Sequence, residues 1–207
     1  MGRPEADWTR RKAMNMLGNG LNEARHNEDA LSVREAELAM YRHLGSSEEN
    51  MLILQGNLAS AYRTLGRLKE ALSLRQDVYS GNLKLYGEEH PETLREAVCY
   101  AMLLLNLDRF EEHKSLMRKM IPISRRVLGE DHDLTLRMRW AYAQALYEDD
   151  GATPNNLREA LTTLEDAERT ARRVLGSAHP IAKGIEGDLR QVRGALRPRE
   201  AEEGVNG

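Results

Sequence analysis

Three histidines are the first candidates for chemistry. His90 follows Glu88-Glu89, His132 follows Glu130-Asp131, and His179 follows Ser177-Ala178. An imidazole beside carboxylates is the raw material of general acid–base catalysis or of a metal site. The spacing argues against both. The histidines recur 42 and 47 residues apart, each at the same point of a repeated segment. Successive copies therefore lie a structural unit from one another and cannot easily share a metal ion. No serine or cysteine nucleophile is paired with the acid–histidine runs, so their reading is to cap or brace a turn. Cys99, the sole cysteine, lies between Val98 and Tyr100 in an apolar stretch, the setting of a buried, inert thiol. A single cysteine excludes a disulfide framework and a cysteine-based zinc site. No G-x-x-x-x-G-K-[ST] phosphate loop occurs. The chain is accordingly read as no enzyme, with no catalytic residues, no metal and no cofactor.

The elements that hold these residues are helical. Ala, Leu, Glu, Arg and Met are abundant among the 207 residues, Phe110 is the only phenylalanine, and the prolines number six. Period-two runs of Val, Ile and Thr are missing, which favours an all-α fold. The length suits one domain or one repeat array. A net charge of −3 gives no basic surplus for a nucleic-acid partner. The longest apolar run, Val98–Leu105, is too short to span a bilayer, and the start, MGRPEADWTRRKAMN, has no apolar stretch of a signal peptide. These features predict a soluble, cytoplasmic protein with neither a nucleic-acid nor a membrane partner.

A repeat organises the chain. HLGSSEENML from His43, LYGEEHPETL from Leu85, VLGEDHDLTL from Val127 and VLGSAHPIAK from Val174 are alike, and Gly45, Gly87, Gly129 and Gly176 are spaced by 42, 42 and 47 residues. The last interval carries five extra residues in Glu148–Asn156, a turn-forming stretch that borders Trp140 and Tyr147 and is read as a candidate contact loop. Each glycine closes a helix, Pro91 and Pro180 open the next, and Asp133 replaces proline in the third copy. Tighter turns at Gly66-Arg67 and Asp108-Arg109 split each unit into helix A and helix B. The position occupied by Gly18, Ala59, Ala101 and Ala143 is always small, as close helix packing demands. In helix B the small position is Ala30, Ala71 and Ala160, but His113 in the third unit.

With these residues in hand, Asn57–Leu72 (NLASAYRTLGRLKEAL) resembles a tetratricopeptide repeat. The L-G-E-E/D-H-P-x-T-L linker and 42-residue length resemble the subtype of kinesin light chains, across nearly the whole chain. The resemblance implies a right-handed α-solenoid of about four helical hairpins plus a C-terminal capping helix, with A helices lining a concave, peptide-binding groove. The expected array covers 1–197, with units of about 8–45, 46–87, 88–129 and 130–176, a capping helix at 178–196 and a disordered tail at 198–207. The long N-terminal heptad coiled coil of a kinesin light chain does not occur in this sequence, so motor association is not carried over. Trp8 is placed to seal the first edge, while Arg190 and Arg193 give the last helix the polar face of a cap.

The resemblance also assigns a groove stripe. It takes Lys12, Asn15 and Asn19 in the first unit, Arg63 in the second, Arg95 and Met102 in the third, and Arg137, Trp140, Gln144 and Tyr147 in the fourth. Arginine forks suit carboxylates, amides suit an extended backbone, and Trp and Tyr suit interface anchors. The expected ligand is a peptide or partner segment, acidic and carrying an aromatic or apolar anchor. The alternative for Met102 and Trp140 is core between stacked hairpins, with the arginines on a solvated face. A second function, scaffolding or weak homodimerisation through the array ends, Trp8 and the glycine-rich last helix, stays open beside a monomeric binding module.

Overall fold

The structure, a computed structural model, describes residues 4–205, with side chains described for residues 9, 10 and 12–197. Trp8's side chain lies outside the described residues. Among the described residues there are nine α-helices and no strand: α1 (Pro4–Glu23), α2 (Asn27–Leu44), α3 (Glu48–Thr64), α4 (Leu68–Tyr86), α5 (Pro91–Asn106), α6 (Phe110–Leu128), α7 (Asp133–Tyr147), α8 (Pro154–Leu175) and α9 (Pro180–Val205). The fold is all-α, and within α1–α4 and within α5–α9 each helix packs on the next in the manner of an α-solenoid. No described helix is long and apolar enough to cross a membrane.

The turns follow from a few residue types. The three repeat histidines are helix N-caps. In each, Nδ1 accepts a hydrogen bond at 3.2 Å from the main-chain N–H two residues on, at Glu92, Leu134 and Ile181. An accepting Nδ1 leaves the ring proton on Nε2, and it satisfies one of the helix's orphan donors. Gly87, Gly129 and Gly176 end α4, α6 and α8 with φ of +83°, +93° and +84° and ψ of 172°, 162° and 156°. Only glycine adopts that backbone without strain, which accounts for the repeating residue. Among the described residues, no group of three or more His, Cys, Asp or Glu side chains could hold a metal ion.

Two compact units emerge, Met1–Gly87 and Glu88–Gly207. In the first, α2 packs on α1 and α3, and α3 on α4. Leu31, Leu38, Tyr41, Leu54 and Leu58 form its buried cluster. In the second, α5 to α9 pack in succession, with further contacts of α5 on α7 and α7 on α9. Small residues at close approaches, Ala101, Ala143 and Ala160, are fully buried. Two ion pairs repeat across successive hairpins here: Arg126 donates to Glu89 at 2.6 Å, and Arg173 donates to Asp131 at 2.5 Å.

Three local features add detail that the sequence reading did not contain. The stretch Glu148–Asn156 is bound to its own unit: Asp149 accepts from the Gly151 N–H and from Lys114, and Thr153 and Asn156 form a reciprocal capping box at the start of α8. Asp149 occupies a position that is leucine at Leu65 and Leu107, and the buried ammonium of Lys114 at 3.1 Å compensates it. α9 continues through Arg197-Pro198 to Val205, past the point where order was expected to end. REAEE is built from strong helix formers, and a proline removes one helical hydrogen bond without ending every helix, as Pro122 within α6 also shows. Cys99 is half-buried rather than sealed in the core.

Candidate partner-binding site

In Met1–Gly87 a cavity of about 370 Å³ opens between α1, α2 and α3. Lys12, Asn15 and Met16 reach it from α1, and Asn50 and Ile53 from α3, while Glu37 and Tyr41 of α2 form its floor. Its rim is apolar: Met16 is 64% and Ile53 51% exposed. Two of the expected stripe residues, Lys12 and Asn15, therefore line a real opening.

Beneath it runs an arrangement the sequence reading missed. Arg34, buried in α2, donates from Nη1 to Glu37 Oε2 at 2.9 Å and from Nη2 to Asn19 Oδ1 at 2.5 Å. The same Nη2 lies 3.4 Å from the carbonyl of Asn15. Gly18 makes the passage possible, since a Cβ there would stand 2.8 Å from the guanidinium carbon. One hairpin later, Arg75 of α4 passes Gly56 and donates to Ser60 Oγ at 2.6 Å. Both guanidiniums thus reach across to the neighbouring A helix, at Asn19 of α1 and Ser60 of α3. In the sequence these arginines lie among many charges on the B helices, and only their glycine partners could have signalled them. Arg63 lies exposed farther along α3.

In Glu88–Gly207 the stripe residues are engaged by the chain itself. Arg95 is exposed and paired with Glu92 and Glu96, and Arg137 is exposed and paired with Asp133 at 3.6 Å. Met102 is exposed on α5. Trp140, Gln144 and Tyr147 converge on Asp188 of α9, a residue not singled out from sequence. Asp188 Oδ2 accepts from Trp140 Nε1 at 2.5 Å and from Gln144 Nε2 at 3.1 Å. The Tyr147 hydroxyl is held well above the ordinary tyrosine range, by burial first and then by the Asp188 and Glu148 carboxylates beside it. Burial and Asp188 also push the Glu148 carboxyl up. The indole of Trp140 lies against α9 at Gly184, where an added Cβ would fall 2.2 Å from Cη2. Here aromatic and amide groups hold α9 in place through one carboxylate.

The sequence model of the tetratricopeptide repeat matches residues 52–92 and 101–133. These two segments are similar to tetratricopeptide repeats. No curated protein matches it. Among solved structures, a Podosopora anserina putative kinesin light chain with nearly identical tetratricopeptide-like repeats is 23% identical, covering 98% of this chain and 92% of that one at a TM-score of 0.77. BtubC from P. vanneervenii is 14% identical, covering 90% and 80% at 0.61. A double mutant of MamA RS-1 is 12% identical, covering 89% and 95% at 0.54. At these identities the likeness is one of fold. The tetratricopeptide match spans the α3–α4 hairpin and much of α5–α6, so the buried Arg75–Ser60 contact lies within a recognised repeat.

Proposed function

We propose that the chain is a non-enzymatic protein-interaction module that seats a peptide or partner segment against its A helices. The observation that carries this reading is the open cavity between α1 and α3 with Met16 and Ile53 exposed at its rim. Apolar side chains left in water beside amides and a cation form the mixed surface that interfaces use. The segment that fits places a large apolar side chain in the cavity, an acidic residue near Lys12, and its extended backbone against Asn15 and Asn50. Tetratricopeptide repeats as a fold serve protein–protein interaction and scaffolding, which agrees with this use. In Glu88–Gly207 an acidic segment would meet Arg95 and Arg137 in competition with their own carboxylate partners, Glu92, Glu96 and Asp133.

The test is affinity capture from a lysate with wild type, Met16→Asp/Ile53→Asp and Arg95→Glu/Arg137→Glu, each checked for unchanged helicity. A partner held by wild type and lost by the first variant supports the cavity. A partner lost only by the arginine variant moves the seat to Glu88–Gly207, and one retained by both overturns the groove reading.

A second reading has its own observation. Leu17 of α1 is 53% exposed, whereas Leu58, its counterpart one repeat on, is 5% exposed. An uncovered core-row leucine suits a scaffold that stacks end to end. Light scattering across a concentration series separates the two: a rising mass favours stacking, and a constant 23.5 kDa opposes it.

A further inference from the structure

The repeat supplies an internal control for a second groove, between successive B helices. In Met1–Gly87 the groove between α2, α3 and α4 is about 440 Å³ and is lined by Leu38, Ala39, Leu58 and Leu74 together with the polar Glu35, Arg42, Tyr62, Glu70 and Ser73. Two repeats on, the groove between α6, α7 and α8 is about 310 Å³. Several positions differ between the two. Arg118 stands where Glu35 stood, Arg139 where Gln55 stood, Tyr142 where Leu58 stood and Thr163 where Leu74 stood. Arg125 keeps the place of Arg42. These four changes each add a hydrogen-bond donor and two add a positive charge, while Leu146 takes the place of Tyr62 and Glu159 keeps that of Glu70.

The new groups are fixed rather than scattered. Arg118 donates from Nε to the Tyr142 hydroxyl at 3.0 Å, and that hydroxyl donates to Glu159 at 2.6 Å. Arg118 is exposed and lines the groove. Arg139 is only 4% exposed, and its ion pair is loose, 3.5 Å from Nη1 to Glu130. Burial, then the Arg125 charge, holds the Arg139 pKa below the ordinary guanidinium range, against the opposing pull of the Glu130 and Asp166 carboxylates. Of the two acids in the lining, Asp166 is drawn to Arg169 at 2.7 Å and Glu159 is held by Tyr142. The half-exposed Glu130 carboxylate bridges Arg125, at 2.8 Å, and Arg139. It is the chain's own demonstration that one oxyanion reaches both guanidiniums.

We propose that the groove between α6, α7 and α8 is an anion site that takes a phosphoryl group on Arg118, Arg125 and Arg139. Three guanidinium forks with hydroxyls beside them match the many acceptor oxygens of a phosphate better than the two of a carboxylate. The phosphoryl group can be free phosphate or one carried on a hydroxyl side chain, and the same chemistry holds both.

The experiment is calorimetric titration of the full chain at pH 7.5 with inorganic phosphate and, separately, O-phosphoserine, against chloride at equal ionic strength. Saturable binding of either, absent with chloride, is expected. Binding of phosphate alone points to the free ion, and tighter binding of O-phosphoserine points to a modified side chain. Arg118→Glu/Arg139→Gln, which restores the residues of the earlier hairpin, should weaken binding at least about tenfold, or 1.4 kcal/mol. Exposed Arg118→Gln alone should weaken it measurably should the double variant fail to fold. Glu130→Gln, by removing the competing carboxylate, should tighten it. Arg42→Gln in the equivalent groove should change nothing. No saturable binding in wild type, or equal binding by wild type and Arg118→Gln, overturns the proposal.

Discussion

His113 is the one place where a helix-B small position is filled by a large polar residue. The ring is fully buried, with Nδ1 2.8 Å from the Ala101 carbonyl, while Nε2 has no partner. Burial holds its pKa below the ordinary value near 6.5, despite the backbone contacts that favour the charged form. The folded protein therefore keeps the ring neutral, while the unfolded chain takes up a proton as pH falls through about 6.5. The stability His113 supports is present above that pH and is lost below it. Thermal melts at pH 7.5 and pH 5.5 should show a larger loss for wild type than for His113→Ala, which installs the residue of the other hairpins. The variant itself should be less stable by about 2 kcal/mol or more at pH 7.5, because it leaves a cavity. Equal losses over the pH interval would clear His113 of the acid sensitivity. The histidine at this position was visible in the repeat register. Its partner was not, because a main-chain carbonyl has no signature in sequence.

At the scale of the element, α9 tests how a terminal helix is held. Gly184 and Gly187 lie on the same helix, but only Gly184 faces the Trp140 indole; a Cβ at Gly187 would meet nothing within 4 Å. Gly187→Ala should stabilise the protein by up to about 1 kcal/mol through helix propensity alone. Gly184→Ala gains the same propensity but forces the indole aside and strains its bond to Asp188, at a cost of about 1–3 kcal/mol that outweighs the gain. Urea titrations of the two variants should move in opposite directions; a stabilised Gly184→Ala would mean that Trp140 does not pack as described. The turns were legible because their chemistry is local and repeats: His90, His132 and His179 cap, and Gly87, Gly129 and Gly176 close. The Trp140–Asp188 contact was not, because it joins elements separated by the only insertion in the repeat. Arg34 and Arg75 escaped for a related reason, since a buried arginine on a charged helix looks like its solvated neighbours until the glycine it passes is known.

For the whole molecule, cohesion is uneven. α7 is covered on several sides, with Leu136, Met138, Ala143, Ala145 and Leu146 fully buried against α5, α6, α8 and α9. α1 packs chiefly on α2 and leaves Met16 and Leu17 largely in water. In repeat arrays stability is a sum over neighbours, so elements with fewer contacts open first. Amide hydrogen exchange should find α1 exchanging through low-energy opening and α7 only near global unfolding. Comparable protection of both helices would argue for a single cooperative block. A bound partner in the α1–α3 cavity should slow exchange in α1 selectively, which gives the same measurement a second use.

The passage of Arg34 past Gly18, and of Arg75 past Gly56, also constrains history. The later hairpins carry Met117 and Leu164 where these arginines stand, with Ala101 and Ala143 in the place of Gly18 and Val98 and Trp140 in the place of Gly56. If the hairpins descend from one duplicated ancestor, the route between the two solutions has a direction. Enlarging the glycine while the arginine is present drives a side chain into the guanidinium, whereas trimming the arginine first leaves only a hole that a later, larger residue fills. A substitution harmless on α5 is therefore costlier on α3 until its neighbour has changed, and the order of mutations, as well as their identity, bears on which hairpins can become alike.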